Sequence, residues 1–157
     1  MDIKEKIHSL SEDLLKNIER LVVINSQLGT PAEGMPFGPG PAKALDEALS
    51  IARELGFKTV NLDHYCGYAE MGEGDDIVGI AGHLDIVPAG GDWTYDPFAL
   101  TRKGDYVYGR GTTDDKGPVL EALYAMKLLR DSGIRLNKRV RLIMGCNEET
   151  GSRCMQH

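Results

Sequence analysis

The sequence predicts an α/β fold, a layered mixed sheet flanked by helices, from three observations. Segments with helical periodicity alternate with short apolar segments that have the composition of β-strands. The 157 residues are 41% hydrophobic and 27% charged, values typical of one globular domain. No internal repeat or low-complexity tract divides the chain. We therefore expect a single body in which helices cover a sheet.

The first predicted helix spans residues 9–24. Its leucine, isoleucine and valine side chains recur on one face, and Ser9 and Glu12 have the spacing of a capping box. The segment that follows, 26–41, is rich in glycine and proline, which predicts a connector without regular structure.

A second helix is predicted over 41–56, because a proline stands in its first turn and Gly56 can end it. Three strands are predicted next, and the last of them is short, apolar and bounded by glycine, as buried strands are. These strands are 57–63, 67–71 and 76–82.

Residues 98–109 are predicted to form a hairpin that turns at Lys103–Gly104. A third helix is predicted over 116–133, with a proline near its start and a glycine at its end. The last predicted strand, 138–146, alternates at first and then becomes wholly apolar.

The charge balance argues against some classes of partner. Lys and Arg number 18 and Asp and Glu number 24, a net charge of −6, whereas a nucleic-acid-binding face needs basic residues. No apolar run approaches a membrane span, and the N-terminus lacks the pattern of a signal peptide. The three cysteines have no zinc-finger spacing and are predicted to be free thiols in a reducing cytoplasm. The oligomeric state stays open.

Polar side chains adjoin three of the predicted strands. Ligands of open α/β sheets bind outside the carboxyl ends of the strands, so these side chains can share one crevice. Clustered carboxylates repel one another without a counter-charge, which one or two divalent cations would supply beside an imidazole ligand. The candidate residues are His83, Asp85, Asp114, Asp115, Glu148 and Glu149.

The spacing within these segments suggests different roles. Residues i and i+2 of a strand point the same way, so Asp85 can accept a proton from His83 and orient its imidazole toward a metal ion. Glu148 and Glu149 are adjacent and should point differently, so that one can bind metal while the other moves protons. A base beside a metal ion is the core of metal-assisted hydrolysis.

Each segment alone has a simpler interpretation. His-x-Asp is often a strand-end hydrogen bond, acidic residues suit a helix N-terminus, and paired glutamates often form a solvated loop. Two phosphate-binding motifs fail, since GRGTTDDK lacks the glycine before lysine of a P-loop and GRGTTD lacks the third glycine of a dinucleotide fingerprint. It is the three segments together that favour a metal site.

The ordered segments GHLDIVPAG, WTYDPF, YGRGTTDDKGP and NEETGS resemble the M20 family of metallopeptidases. MPFGPGPAKALDEAL, YCGYAEMGEGDDIVGIAGHLD and RCMQH resemble its PepV-like subgroup, the Xaa-His or carnosinase-type dipeptidases. The resemblance implies a zinc-peptidase-like catalytic fold, a small-peptide substrate and two divalent ions, zinc or manganese.

Position by position, the resemblance makes His83 a ligand of one metal and Asp85 its orienting partner. Asp114 would bridge both metals and would be followed by a cis peptide bond. Glu148 would be the general base, and Glu149 would be a ligand of the other metal. By the same resemblance, WTYDPF (93–98) and GMPFGPGP (34–41) favour the dipeptidase subgroup over the N-acyl amino acid deacylases, which remain an alternative.

Members of the family have several hundred residues, with a further carboxylate ligand, a second histidine ligand and a smaller second domain. Residues 1–157 are therefore expected to be the N-terminal part of the catalytic domain, without the remainder of that domain or the second domain. His157 is not expected to be the distant histidine ligand, because it lies close to the glutamate pair. Activity is expected only of the full-length form, and a non-catalytic truncated module is the remaining alternative.

Overall fold

The computed structural model describes residues 3–157, in which a four-stranded mixed sheet packs against helices. The predicted α/β class is confirmed. The elements in chain order are α1 (Ile3–Val22), α2 (Pro39–Glu54), β1 (Lys58–Leu62), β2 (Cys66–Met71), β3 (Ile77–His83), β4 (Thr101–Lys103), β5 (Tyr106–Tyr108), α3 (Lys116–Asp131) and β6 (Arg139–Gly145), followed by a 3₁₀ turn at Arg153–Met155.

The sheet has the strand order β1-β2-β6-β3. β2 pairs antiparallel with both β1 and β6, whereas β3 runs parallel to β6 and places His83 opposite Gly145. The carboxyl ends of β3 and β6 therefore lie side by side at one edge of the sheet. β4 and β5 form a separate hairpin, so the GRGTTDD segment follows this hairpin and not a strand of the main sheet.

Helices α2 and α3 cover the same face of the sheet. Gly67, Met144 and Gly82 are neighbours across β2, β6 and β3, so they point to one side. A Cβ added to Gly67 would lie 3.1 Å from Leu49 of α2, and one added to Gly82 would lie 2.7 Å from Val119 of α3. The glycines let both helices approach the strands closely, and α1 packs against both helices.

The hydrophobic core lies between these helices and the covered face of the sheet. Each large side chain buried there stabilises the fold by about 1.5 to 3 kcal/mol relative to an exposed one. The most buried residues of this core include Leu21, Val22, Leu45, Leu49, Ile51, Val119, Leu120, Leu123, Met126, Leu142 and Met144. In residues 3–157 no helix has both the length and the apolar character needed to cross a bilayer.

The predicted start of the first helix is wrong. The chain is already helical at Ile3, and the Ser9 hydroxyl donates to the main-chain oxygen of Lys6 at 2.7 Å, from inside the helix. Ser9 is therefore not an N-cap. The ends predicted for the other two helices are confirmed to within two residues, and Gly56 and Gly133 adopt the positive φ values of 88° and 71° that glycine tolerates.

The predicted burial of the strand at 76–82 is also wrong. β3 pairs only with β6 among the described residues, so it lies at the edge of the sheet. Ile77 and Val78 are 43% and 48% exposed as a result. The hairpin is confirmed as β4 and β5, although its turn falls at Gly104–Asp105, one residue later than predicted.

Candidate metal centre

His83 ends β3 and projects its imidazole toward acidic side chains from two other segments. The residue is 8% exposed. Its Nε2 atom lies 3.0 Å from Asp114 Oδ1 and 3.8 Å from Glu148 Oε2. The parallel register of β3 and β6 accounts for the approach of Glu148, because Gly145 is directly opposite His83.

Asp114 and Asp115 lie in the loop that leads into α3, and the peptide bond between them is cis, as the resemblance implied. The Asp114 side chain is 70% exposed and faces His83. Asp115 turns another way, and its Oδ2 accepts the main-chain N–H of His83 at 3.1 Å. The two adjacent carboxylates therefore have different partners.

Three of the predicted residues offer donor atoms that lie within 4.8 Å of one another: His83, Asp114 and Glu149. These are the three that the sequence analysis assigned as metal ligands. One imidazole and two carboxylates are a donor set that suits zinc or manganese, so the residues present fit a divalent cation. Glu148 lies beside this group, with its side chain 53% exposed.

Asp85 joins the ends of the two parallel strands. It is 2% exposed, and its two carboxylate oxygens accept the main-chain N–H groups of Glu148 at 2.9 Å and Glu149 at 3.1 Å. The Nδ1 atom of His83 lies 3.0 Å from the main-chain oxygen of Asp85 and 3.4 Å from its Oδ1. One buried carboxylate thus contacts both the imidazole and the segment that carries the glutamates.

The acidic surroundings change two ionisation equilibria. Burial lowers the pKa of His83, but the hydrogen bond and charge of Asp85 outweigh it and raise that pKa from 6.5 to about 9. Burial, together with the negative charge of Asp114, raises the pKa of Glu149 above its ordinary value. The shift of His83, and in part that of Glu149, reflects neighbouring carboxylates whose negative charge a divalent cation would neutralise.

Two residues that shape the site had no assigned role in the sequence analysis. Asn147, 2% exposed, accepts the main-chain N–H of Arg153 on its side-chain oxygen at 3.2 Å and donates to Thr150. It thereby closes the turn that carries the glutamates, and an asparagine before a polar turn is a signal that could have identified it. The second is Lys116, which is completely buried and donates from Nζ to the main-chain oxygens of Leu21 and Ile24, not to the aspartates.

His157 lies outside the cluster, as expected. Its ring stacks on Tyr65 with centroids 4.1 Å apart, and its Nε2 lies 3.2 Å from Asp63 Oδ2. The three cysteines are free and buried, and burial raises the pKa of Cys146 well above its ordinary value.

A family comparison decides the classification of the chain. Residues 79–157, which contain every candidate metal ligand, match the family described as Peptidase family M20/M25/M40. The chain belongs to this family.

Other M20 proteins resemble the chain over most of its length. YtjP of Bacillus subtilis (strain 168), provisionally named a dipeptidase, is 43% identical over 148 residues, which cover 93% of this chain and 32% of that protein. A Staphylococcus aureus (strain USA300) protein, also provisionally named a dipeptidase, is 40% identical over 153 residues, covering 96% of this chain and 33% of its own length. The chain thus spans about a third of these curated relatives.

Solved structures agree with the fold. Human carnosine dipeptidase 1 superposes with a TM-score of 0.83 at 26% identity, over 98% of this chain and 36% of that one. The M20 family metallo-carboxypeptidase Sso-CP2 from Sulfolobus solfataricus superposes with a TM-score of 0.74 at 28% identity, over 88% of this chain and 32% of that one.

Proposed function

We propose that this M20 family chain carries the catalytic base and several metal ligands of a metal-dependent dipeptidase. The observation that carries the proposal is the group of His83, Asp114 and Glu149, whose donor atoms lie within 4.8 Å of one another at the ends of β3 and β6. In the proposed enzyme two divalent ions, zinc or manganese, would be held by this group: His83 would be a ligand of one, Glu149 a ligand of the other, and Asp114 would be shared by both.

A bound divalent cation lowers the pKa of water and polarises a carbonyl oxygen. Glu148 is suited to serve as the general base, because its side chain is 53% exposed while its main-chain N–H is held by Asp85. Its carboxylate takes a proton from the attacking water and passes it to the leaving amine. Asp85 keeps the imidazole of His83 oriented through Nδ1.

The proposed substrate is a small peptide, hydrolysed in the cytoplasm without a nucleic-acid or membrane partner. The names of the two bacterial relatives support a dipeptide, as does the structural likeness to human carnosine dipeptidase 1. The alternative within the family is an N-acyl amino acid deacylase. The net charge of −6 gives no support to a nucleic-acid partner.

The chain is proposed to be the N-terminal part of the catalytic domain, and activity is proposed for the full-length form. Its share of about a third of the relatives' length supports this division. A second ion needs more donors than one imidazole and two carboxylates offer, so the remaining ligands would come from the rest of the protein.

The test is a Glu148→Ala substitution in the full-length protein. We expect kcat for a dipeptide to fall by about 10² to 10⁴, because the proton acceptor is removed while the metal ligands remain. Metal content, measured by mass spectrometry after dialysis, should stay at the wild-type level. His83→Ala is the matched variant and should lose metal and activity together.

Near-normal hydrolysis by the Glu148→Ala protein would contradict the proposed mechanism. The same assays run with an N-acyl amino acid separate the two substrate classes. Faster turnover of that substrate than of any dipeptide would favour the deacylase over the dipeptidase.

A further inference from the structure

Lys116 directly follows the aspartate pair, yet its ammonium group faces the opposite direction. The residue is 0% exposed, and its Nζ donates to the main-chain oxygens of Leu21 at 2.9 Å and Ile24 at 2.7 Å. Among the ion pairs found in residues 3–157, none involves Lys116. Its amino group therefore binds carbonyl oxygens at and just beyond the C-terminal end of α1, and it does not pair with the neighbouring carboxylates.

The end of α1 is a favourable place for this group. The last carbonyl oxygens of a helix have no partners within the helix and carry partial negative charge. Leu21 O already accepts the main-chain N–H of Ile24 at 3.1 Å, so Lys116 adds a second hydrogen bond there and a further one to Ile24 O. Because Leu21 is itself in the core, Lys116 fixes the first turn of α3 to a rigid part of the molecule.

The stem of Lys116 also closes the loop that carries the aspartates. It lies over Gly111, where an added Cβ would be 2.9 Å from Lys116 Cδ and where φ is +89°. The N–H of Gly117 donates to the oxygen of Gly111 at 3.1 Å. Residues 111–117 thus form a closed loop that the Lys116 side chain links to Leu21 and Ile24.

This loop determines where both aspartates lie. The Asp114 side chain is 70% exposed and contacts His83 through Nε2, so its position depends on its main chain. Asp115 holds the main-chain N–H of His83. We propose that Lys116 is a positioning residue, which anchors the 111–117 loop to α1 and thereby sets the distance between Asp114 and His83. Its consequence for metal binding rests on the proposed function, whereas the anchoring itself does not.

The first test needs no metal and uses hydrogen exchange of the chain. Lys116→Met keeps an unbranched stem but removes both hydrogen bonds. We expect faster exchange at the N–H of Gly117 and at that of His83, whose acceptor is Asp115, while the amides of β2 and β6 keep wild-type protection. Leu123→Ala, seven residues further along α3 and equally buried, is the control for a general loss of packing. Leu123→Ala should leave the protection of the Gly117 and His83 amides, relative to that of the β2 and β6 amides, at its wild-type value.

If the Lys116→Met chain does not fold, Lys116→Gln is measured instead. Glutamine retains N–H donors on a shorter stem that cannot reach both carbonyls, so the same two amides should lose protection. Unchanged protection of Gly117 and His83 in the folded variant would overturn the proposal.

The second test measures Co²⁺ affinity and the visible spectrum of the bound Co²⁺, which reports the ligand geometry. Lys116→Met should weaken Co²⁺ binding at least about tenfold and alter the spectrum, as loss of an outer support of a metal site does. Leu123→Ala should retain the wild-type spectrum. A wild-type spectrum in the Lys116→Met chain would count against the positioning role. If the full-length wild-type protein binds no Co²⁺ but Lys116→Met still loses local protection, the metal centre of the proposed function fails and the anchoring role of Lys116 stands.

Discussion

At the scale of single residues, the carboxylate of Asp85 accepts the N–H groups of Glu148 and Glu149 while it also lies beside the imidazole of His83. The i, i+2 spacing of a strand predicted the approach to His83. It could not predict the contact with the glutamates, because that contact depends on the parallel register that sets His83 opposite Gly145. Register comes from the pairing of distant segments, which a single sequence does not specify.

The shifted pKa of His83 predicts how metal binding depends on pH. A metal ion binds neutral imidazole, but in the metal-free chain this group keeps its proton up to a pKa of about 9. Between pH 6.5 and about 9, each unit of falling pH should weaken metal affinity about tenfold. The measurement is calorimetric titration of the chain with Zn²⁺ over this range.

The matched variant for this titration is Asp85→Asn, which removes the charge that raises the pKa of His83. The pKa should fall back toward 6.5, so affinity should become nearly independent of pH above that value. The same shift also makes the stability of the fold depend on pH. Since the folded pKa is the higher one, its contribution to stability is present below pH 6.5 and is lost as pH rises through about 9. An identical pH dependence in both proteins would refute the role given to Asp85.

At the scale of elements, the helices and strands were predictable where local chemistry decides, and not where neighbours decide. Gly56 ends α2 as predicted because only local backbone geometry is involved. β3 was predicted to be buried from its apolar composition, but composition does not tell how many strands pair with it, and it lies at an edge. Complete burial of Lys116 could not be predicted either, because its acceptors, Leu21 and Ile24, lie at and just after the end of α1, more than 90 residues away.

The first turn of α3 gives a prediction at this scale. A Cβ added to Gly117 would lie 2.0 Å from the main-chain oxygen of Thr112, an atom that cannot move without shifting the 111–117 loop. Gly117→Ala should therefore destabilise the chain by roughly 1 to 3 kcal/mol, the cost of overpacking, although alanine favours helices. Urea unfolding measures the change. Gly79→Ala is the control, since an added Cβ there has no atom within 4 Å. Equal urea midpoints for the two variants would contradict the prediction, because they would show that the 111–117 loop can shift at no cost in stability.

At the scale of the whole molecule, the candidate centre lies at the surface of the described fold. Asp114 and Glu148 have side chains 70% and 53% exposed, so water reaches these two carboxylates freely. Catalysis by such groups gains much of its strength when water is excluded and a substrate is held in place. The sequence predicted that His83 and the glutamates meet, because the carboxyl ends of strands gather polar side chains, whereas Asp114 reaches them from the loop after a separate hairpin.

These exposures lead to a prediction for the isolated 157 residues. The isolated segment should bind one divalent ion per chain, because His83, Asp114 and Glu149 form one group of donors. Its hydrolysis of dipeptides should be absent or barely above background. Metal content by mass spectrometry and hydrolysis in the presence of Zn²⁺ or Mn²⁺ measure the two parts separately. Binding of one ion without turnover would mean that the ligands assemble within this segment, while substrate positioning needs the remaining two thirds of a relative's length. Robust metal-dependent cleavage by the segment alone would show instead that the centre at the ends of β3 and β6 is sufficient for catalysis, and the proposed dependence on the full-length protein would be wrong.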